Sequence, residues 1–424
     1  MTLAAVFLGG ARSRLLPASV PLRFFAAAAI FHVLMWIALF ASAEQATSFR
    51  GGAGPALAAI HLLTLGVLTT TAIGASVQLL PVATRRALAA VWPIKLVFWL
   101  IVPGSAALAL GMHAVSMQVL IAAAFLTTAG LLLFAALLAE NLRRAGSLPV
   151  VAAYGWTALA ALVGLAGLGT ALAIDYESAI LPDHGSFALA HLILGGYGFM
   201  GFLALGFSQV LVPMFALAST PAKRAAFAGF ALAAAALAVG VLGAVLDSRA
   251  MLALACIVGL LAAAMHLRLM ARTLAGGMRK RLGLSFVLVR VAWAMLLLTP
   301  LVGLAALYGY AGANGPTLFG FLLLGGWLLT FLLGVLERIL PFLASMHVAQ
   351  PRGSPPLVSE LAASLPPKLH AACHCSALAI MAVAIVLDNA MLSRLGSAVG
   401  LVGAVAFAWF TADVVRRVAK PARA

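Results

Sequence analysis

Twelve runs of apolar residues, each long enough to cross a bilayer, constrain this chain more than any other feature. They fall at about 21–42, 55–81, 89–111, 115–139, 150–174, 185–213, 222–246, 250–274, 283–310, 316–344, 368–388 and 394–418. The chain is 65% hydrophobic and 8% charged over 424 residues, so a water-soluble domain would have too little polar surface to cover its apolar side chains. In hydrocarbon every backbone N–H and C=O must be bonded within its own segment, which makes the spans helices. The expected fold class is therefore all-α: a polytopic membrane protein with twelve transmembrane helices.

One pattern recurs in three of the runs. Gly74-Ala-Ser-Val-Gln78-Leu-Leu-Pro81, Gly206-Phe-Ser-Gln209-Val-Leu-Val-Pro213 and Gly334-Val-Leu-Glu337-Arg338-Ile-Leu-Pro341 each place a polar residue three or four positions after a glycine and a proline seven after it. The intervals are 132 and 128 residues. That period is too long for a solenoid and points to a triplicated bundle. A single membrane domain, 1–424, is expected, with three pseudo-symmetric four-helix units at about 21–146, 147–282 and 283–424.

The net charge of +16 would suit nucleic acid, but its placement argues otherwise. Arg85, Arg86, Arg143, Arg144, Arg279 and Lys280 are typical: the basic residues gather at the termini and in the even-numbered loops. The odd-numbered loops hold only Arg50, Arg249 and Arg394, together with most of the acids, as in the stretch 173–186. This positive-inside pattern predicts cytoplasmic termini and a bacterial inner-membrane location. Anionic lipid headgroups suffice as partners of the basic face, and no nucleic acid is called for. The apolar stretch Leu3–Gly10 is too short for a secretory signal. Three cysteines, Cys256, Cys373 and Cys375, imply no disulfide framework, and without Cys-x-x-Cys-His no covalent haem is expected.

Any chemistry must then lie in or at the rims of the bilayer, where ionisable residues are costly and mark candidate sites. His61 and His191 each lie about six residues into a span that enters from outside, in what read as equivalent places of the first two units; the third unit has Phe321 near that place. Two facing imidazoles suit iron or copper. The competing account bonds each ring to helix carbonyls or hydroxyls. Gly195 and Gly198 beside His191 either let helices approach or leave room for a flat macrocycle. His32, mid-way along the first span, is a candidate for the same site. A second cluster, His370-Ala-Ala-Cys373-His374-Cys375, puts His370, Cys373 and His374 on one helical face, a donor set for copper or zinc or a chance grouping at a packed interface. His266 and His347 lie toward the same side. Of the charges within spans, Lys95 can snorkel, and Arg290 is expected to pair with Glu337.

Twelve helices in three units, with His61-Leu-Leu-Thr-Leu-Gly66 through Pro81 and His191-Leu-Ile-Leu-Gly195 through Pro213, resemble the catalytic subunit of the haem-copper oxidases, in a divergent form bordering the NnrS family. The resemblance implies a low-spin haem at His61, a ligand at His191, and haem propionates held by an arginine for which Arg394 is the candidate. The chain departs from the family where oxygen is reduced: 222–246 and 316–344 hold no histidine, and Tyr197 follows His191 by six residues instead of four. The expected function is binding of haem b, or copper, in the outer half of the bilayer, for electron transfer or for nitric-oxide or metal handling, without the oxygen-reducing centre. Such a role calls for another membrane redox subunit or an electron-transfer protein as partner. The rival readings are a transporter or channel and a cofactor-free partner subunit.

Overall fold

The computed structural model describes residues 16–84, 90–144, 148–352 and 363–419. The stretch Leu3–Gly10 and residues Arg85, Arg86 and Lys420 lie outside them. Among the described residues the chain is all-helical with no strands. Twelve helices are long and apolar enough to cross a membrane: α1 (Ser19–Ala41), α2 (Pro55–Leu79), α3 (Trp92–His113), α4 (Met117–Arg143), α5 (Pro149–Ser178), α6 (His184–Ala216), α7 (Lys223–Val245), α8 (Arg249–Gly276), α9 (Leu284–Leu307), α10 (Gly315–His347), α11 (Leu365–Val386) and α12 (Ala390–Val418). The chain is a multi-pass membrane protein.

Local sequence explains many of the boundaries. Helices α2, α3, α5, α10 and α11 each start with a proline in the first two positions, where a missing N–H costs nothing and the fixed φ favours the helix. Asp183 caps α6 by accepting a 2.6 Å hydrogen bond from the Ser186 N–H. The acidic connection expected over 173–186 is shorter than the sequence suggests, because α5 runs to Ser178 and α6 begins at His184. Likewise the helix carrying α10 continues to Arg352, beyond the apolar run expected to end at about 344.

The packing follows the threefold pattern. Helices α1, α3, α4, α5, α7, α8, α9, α11 and α12 touch in that order and close on themselves as an outer ring. Inside it stand α2, α6 and α10, each packed against the other three helices of its own unit. Their apolar windows are 67%, 72% and 72% buried, against 22–50% for the other nine, so these three form the core and the rest face lipid.

All three inner helices carry the same irregularity. Leu62–Thr69, Leu194–Gly201 and Leu322–Leu329 are π-helical, and their starts are 132 and 128 residues apart, the intervals of the glycine-proline pattern. The π turns of α2 and α6 both pack against that of α10. A π turn displaces carbonyls from the regular ladder. Thr70 and Thr330, at matching ends of two of these segments, each donate a 2.9 Å hydrogen bond to such a carbonyl five residues back, Leu65 and Gly325.

The small residues work as helix contacts. A methyl group on Gly66 would collide with Phe31 of α1 and one on Gly74 with Phe24. Gly195 and Gly198 face Leu165 and Ala161 of α5, so they set the α5–α6 distance and do not open room for a macrocycle.

Candidate functional site

His61 ends the first α-helical stretch of α2 and immediately precedes its π turn; His191 stands three residues before the π turn of α6. The two half-buried rings meet across the α2–α6 gap with centres 6.4 Å apart and planes 25° from parallel. The sequence reading of exact equivalence needs correction. His191 follows His61 by 130 residues, two fewer than the 132 that relate the π turns, so the counterpart of His61 is Ile193. Two residues turn a helix by about 200°. Strictly equivalent side chains would point in the same rotational sense around the axis; the two-residue offset is what lets these two rings face each other.

Each ring is held from behind. His61 Nδ1 lies 3.0 Å from the Leu57 carbonyl oxygen, which can only accept, so Nδ1 carries the proton and Nε2 presents its lone pair. This is the arrangement of a metal-ligating histidine whose second nitrogen is fixed by a backbone carbonyl. The His191 ring lies against α5 at Gly169, where an added methyl would come within 2.8 Å of Cε1. Its Nδ1 is buried without a protein partner. The His191 ring also has a hydrogen-bond interaction with the Leu165 backbone of α5.

The separation suits a shared ion. Metal–imidazole bonds are about 2 Å long and a ring centre lies roughly 1.1 Å behind its nitrogen, so two imidazoles on opposite sides of one ion have centres about 6.2 Å apart. The 6.4 Å separation of the ring centres is close to that distance.

His32 does not join this site. It lies on the far side of α1, 6.2 Å from the His370 ring and 6.0 Å from Phe407. The His370 cluster is also reorganised. His370 and His374 turn inward and are buried, but Cys373 packs its Cβ against Gly403 of α12, away from both rings. Helical spacing put the three on one broad face; the close approach of α12 decides that the cysteine belongs to the helix contact. Among the described residues no set of three or more His, Cys, Asp or Glu is disposed to hold a metal ion. His266 is buried on α8 and His347 lies within hydrogen-bond reach of the Leu343 and Leu16 carbonyls, so neither contributes.

Two arginine expectations are also corrected. Arg394 pairs with Glu44 at 2.9 Å, tying the start of α12 to the α1–α2 connection. Arg290 is exposed toward lipid, and Glu337 instead receives His370 Nδ1 at 2.9 Å. Arg338, beside Glu337 in sequence, turns the other way, donating to the Leu282 carbonyl at 2.5 Å and lying over the Phe215 ring at 5.1 Å. Tyr197 packs on Trp327 and Phe319 at the α6–α10 contact instead of approaching His191.

Near the rim above His191, His184 Nδ1 lies 2.8 Å from the Asp175 carboxylate. Asp183, in the α5–α6 connection, is held below the usual carboxylate range by the backbone N–H of Ser186. Sequence reasoning missed Gly169, Trp36 and the π turns. Gly169 carries no signal apart from the ring it meets, and a π turn leaves no periodic trace that a window of eight residues would reveal. In comparison with known proteins, no family model and no curated protein matches this chain.

Proposed function

We propose that His61 and His191 jointly hold haem b, or a copper ion, between α2 and α6 in the half of the bundle that the charge distribution assigns to the outside. The observation that carries this reading is the pair of nearly parallel rings 6.4 Å apart, one with its Nδ1 fixed on a carbonyl. When bound, such a group supplies one-electron chemistry, serving electron transfer or nitric-oxide or metal handling. The chain's own contribution is orientation and shelter. Leu57 fixes the His61 tautomer, Gly169 admits the Cε1 edge of the His191 ring against α5, and apolar helices restrict water. A four-electron reduction of oxygen is outside this reading, because α7 and the span 316–344 hold no histidine.

The test is an absorption spectrum and metal analysis of the purified protein. A reduced-minus-oxidised haem b band, or stoichiometric copper, is expected. His61→Ala and His191→Ala should each abolish or convert it, with helical content by circular dichroism unchanged. A colourless, metal-free preparation would sink the proposal and leave the transporter reading standing; so would a cofactor that survives both substitutions.

A further inference from the structure

A second polar group lies in a different channel, between α1, α10, α11 and α12. His32, His370, His374 and Thr330 are at most 1% exposed there, and the Glu337 side chain is 4% exposed. The hydrogen bonds fix where each ring proton resides. Trp36 Nε1–H donates to His32 Nε2 at 3.1 Å, so that nitrogen is a lone pair and the neutral ring carries its proton on Nδ1. Thr330 Oγ1 donates to the Gly325 carbonyl, so toward His374, 2.8 Å away, it accepts; His374 is protonated on Nε2 and keeps a lone pair on Nδ1. In its carboxylate form Glu337 can only accept, and His370 then donates from Nδ1 and keeps a lone pair on Nε2.

What remains is one donor, His32 Nδ1–H, and two acceptors, His370 Nε2 and His374 Nδ1. All three atoms are buried with no protein partner. A trigonal metal site would need three lone pairs, and His32 offers a proton instead. One water molecule fits: it accepts once and donates twice. Three imidazoles bonded to one water at about 2.9 Å in tetrahedral directions have centres roughly 6.5 Å apart, and less where the angle at the water is narrower. The His32–His370 and His370–His374 centres are 6.2 and 5.6 Å apart. Phe407 walls the group at 6.0 Å from His32 and 5.0 Å from His370, and Gly400 leaves the space that the Trp36 indole fills.

We propose that these three imidazoles hold one ordered water, and that this water, His370 and Glu337 form a proton-exchange site within the bundle, separate from the His61–His191 pair. An excess proton on the water enters His370 at Nε2 as the Nδ1 proton leaves for the Glu337 carboxylate. The ring ends neutral with its tautomer inverted, and Glu337 ends as the acid. The titratable groups facing the site are His32 from α1, Glu337 from α10, and His370, His374 and the neighbouring thiol of Cys375 from α11. The nearest acid on α12, Asp413, is taken up by Arg416 and Arg417.

Solid-state NMR of the full chain in liposomes, with 15N-labelled histidine, tests this. His32 should be protonated on Nδ1 and His374 on Nε2, with water-to-nitrogen cross-peaks at all three free nitrogens. On titration His370 should change in one step together with the Glu337 carboxyl signal. Glu337→Gln keeps an oxygen for the His370 Nδ1–H but cannot take its proton, so that step should vanish while the melting temperature holds. Should that variant not fold, Thr330→Val should release the His374 tautomer and leave the joint step in place. Three results would overturn the proposal: a bare Nδ1 on His32, an unchanged His370 titration in Glu337→Gln, or stoichiometric zinc or copper lost in His370→Ala but kept in His61→Ala.

Discussion

At the scale of single residues, two side chains set the site and a third position, with no side chain, admits one of them. Gly169→Ala would put a methyl 2.8 Å from His191 Cε1. Alanine is favoured over glycine in a helix by about 1 kcal/mol, so α5 itself should not weaken. Displacing a ligand's supporting contact costs about 10–100-fold in affinity. The expected outcome is a loss of bound haem or copper of that order with an equal or higher melting temperature, read by titrating the apo-protein. Asp183 offers a pH test at the α6 start. Its folded pKa lies below the ordinary 3.8, so the cap's stabilisation is present above that value and is lost as pH falls through the lowered one. Asp183→Ala should therefore melt lower than the parent at pH 7, and the difference should shrink in acid; a pH-independent difference would assign the effect to packing.

At the scale of elements, the π turns are what the three inner helices share. Each inserts hydrogen bonding of wider register just inside the first stretch of helix; in α2 it follows directly on His61, and in α6 it begins three residues after His191. A π turn amounts to an extra residue in an α-helix. Deleting one residue within Leu62–Thr69 should restore the regular ladder and turn His61 by about 100° relative to the rest of α2. The predicted result is loss of the cofactor proposed for His61 and His191 with unchanged helical content, checked by absorption and circular dichroism together. Cofactor retained after the deletion would mean that the π turn does not aim the ring. The third inner helix keeps the π turn but carries Phe321 at the position corresponding to His61, and another polar group is built on its Thr330 and Glu337.

At the scale of the molecule, a nine-helix ring around three inner helices leaves three gaps between neighbouring inner helices, and the chain treats them differently. The α2–α6 gap holds the facing histidines, the α6–α10 gap is filled by Tyr197, Trp327 and Phe319, and the space between α10, α1, α11 and α12 holds the imidazole group. At the end expected outside, the loops are tied to one another: Thr47 donates to Asp388, Thr317 to the Phe49 carbonyl, and Asn314 to the Ile385 carbonyl. Cysteines placed at Arg144 and at Asp247 should react with impermeant reagents from opposite sides, with Arg144 on the cytoplasmic side. Labelling of Arg144 from the outside would overturn the orientation and with it the placement of His61 and His191 in the outer half; labelling of both from one side would overturn the three crossings between them.

The apolar runs by themselves determined the twelve helices, because a backbone in lipid has no other way to bond its polar groups. The glycine-proline interval marked which helix of each unit is innermost, since only α2, α6 and α10 carry it and only they are about two-thirds or more buried. The facing of His61 and His191 was legible as matched depth. Its cause, the two-residue offset against the repeat, follows from the sequence only once the π turns fix the register. Other placements belonged to tertiary structure alone. Whether His32 looked toward α2 or toward α11, whether Glu337 met Arg290 or His370, and whether Cys373 faced a metal or Gly403 depended on which helices close around each channel. Sequence periodicity states which residues share a face of one helix; it does not state which neighbour that face meets, and in a bundle where every helix is apolar on all sides no hydrophobic stripe singles out the partner.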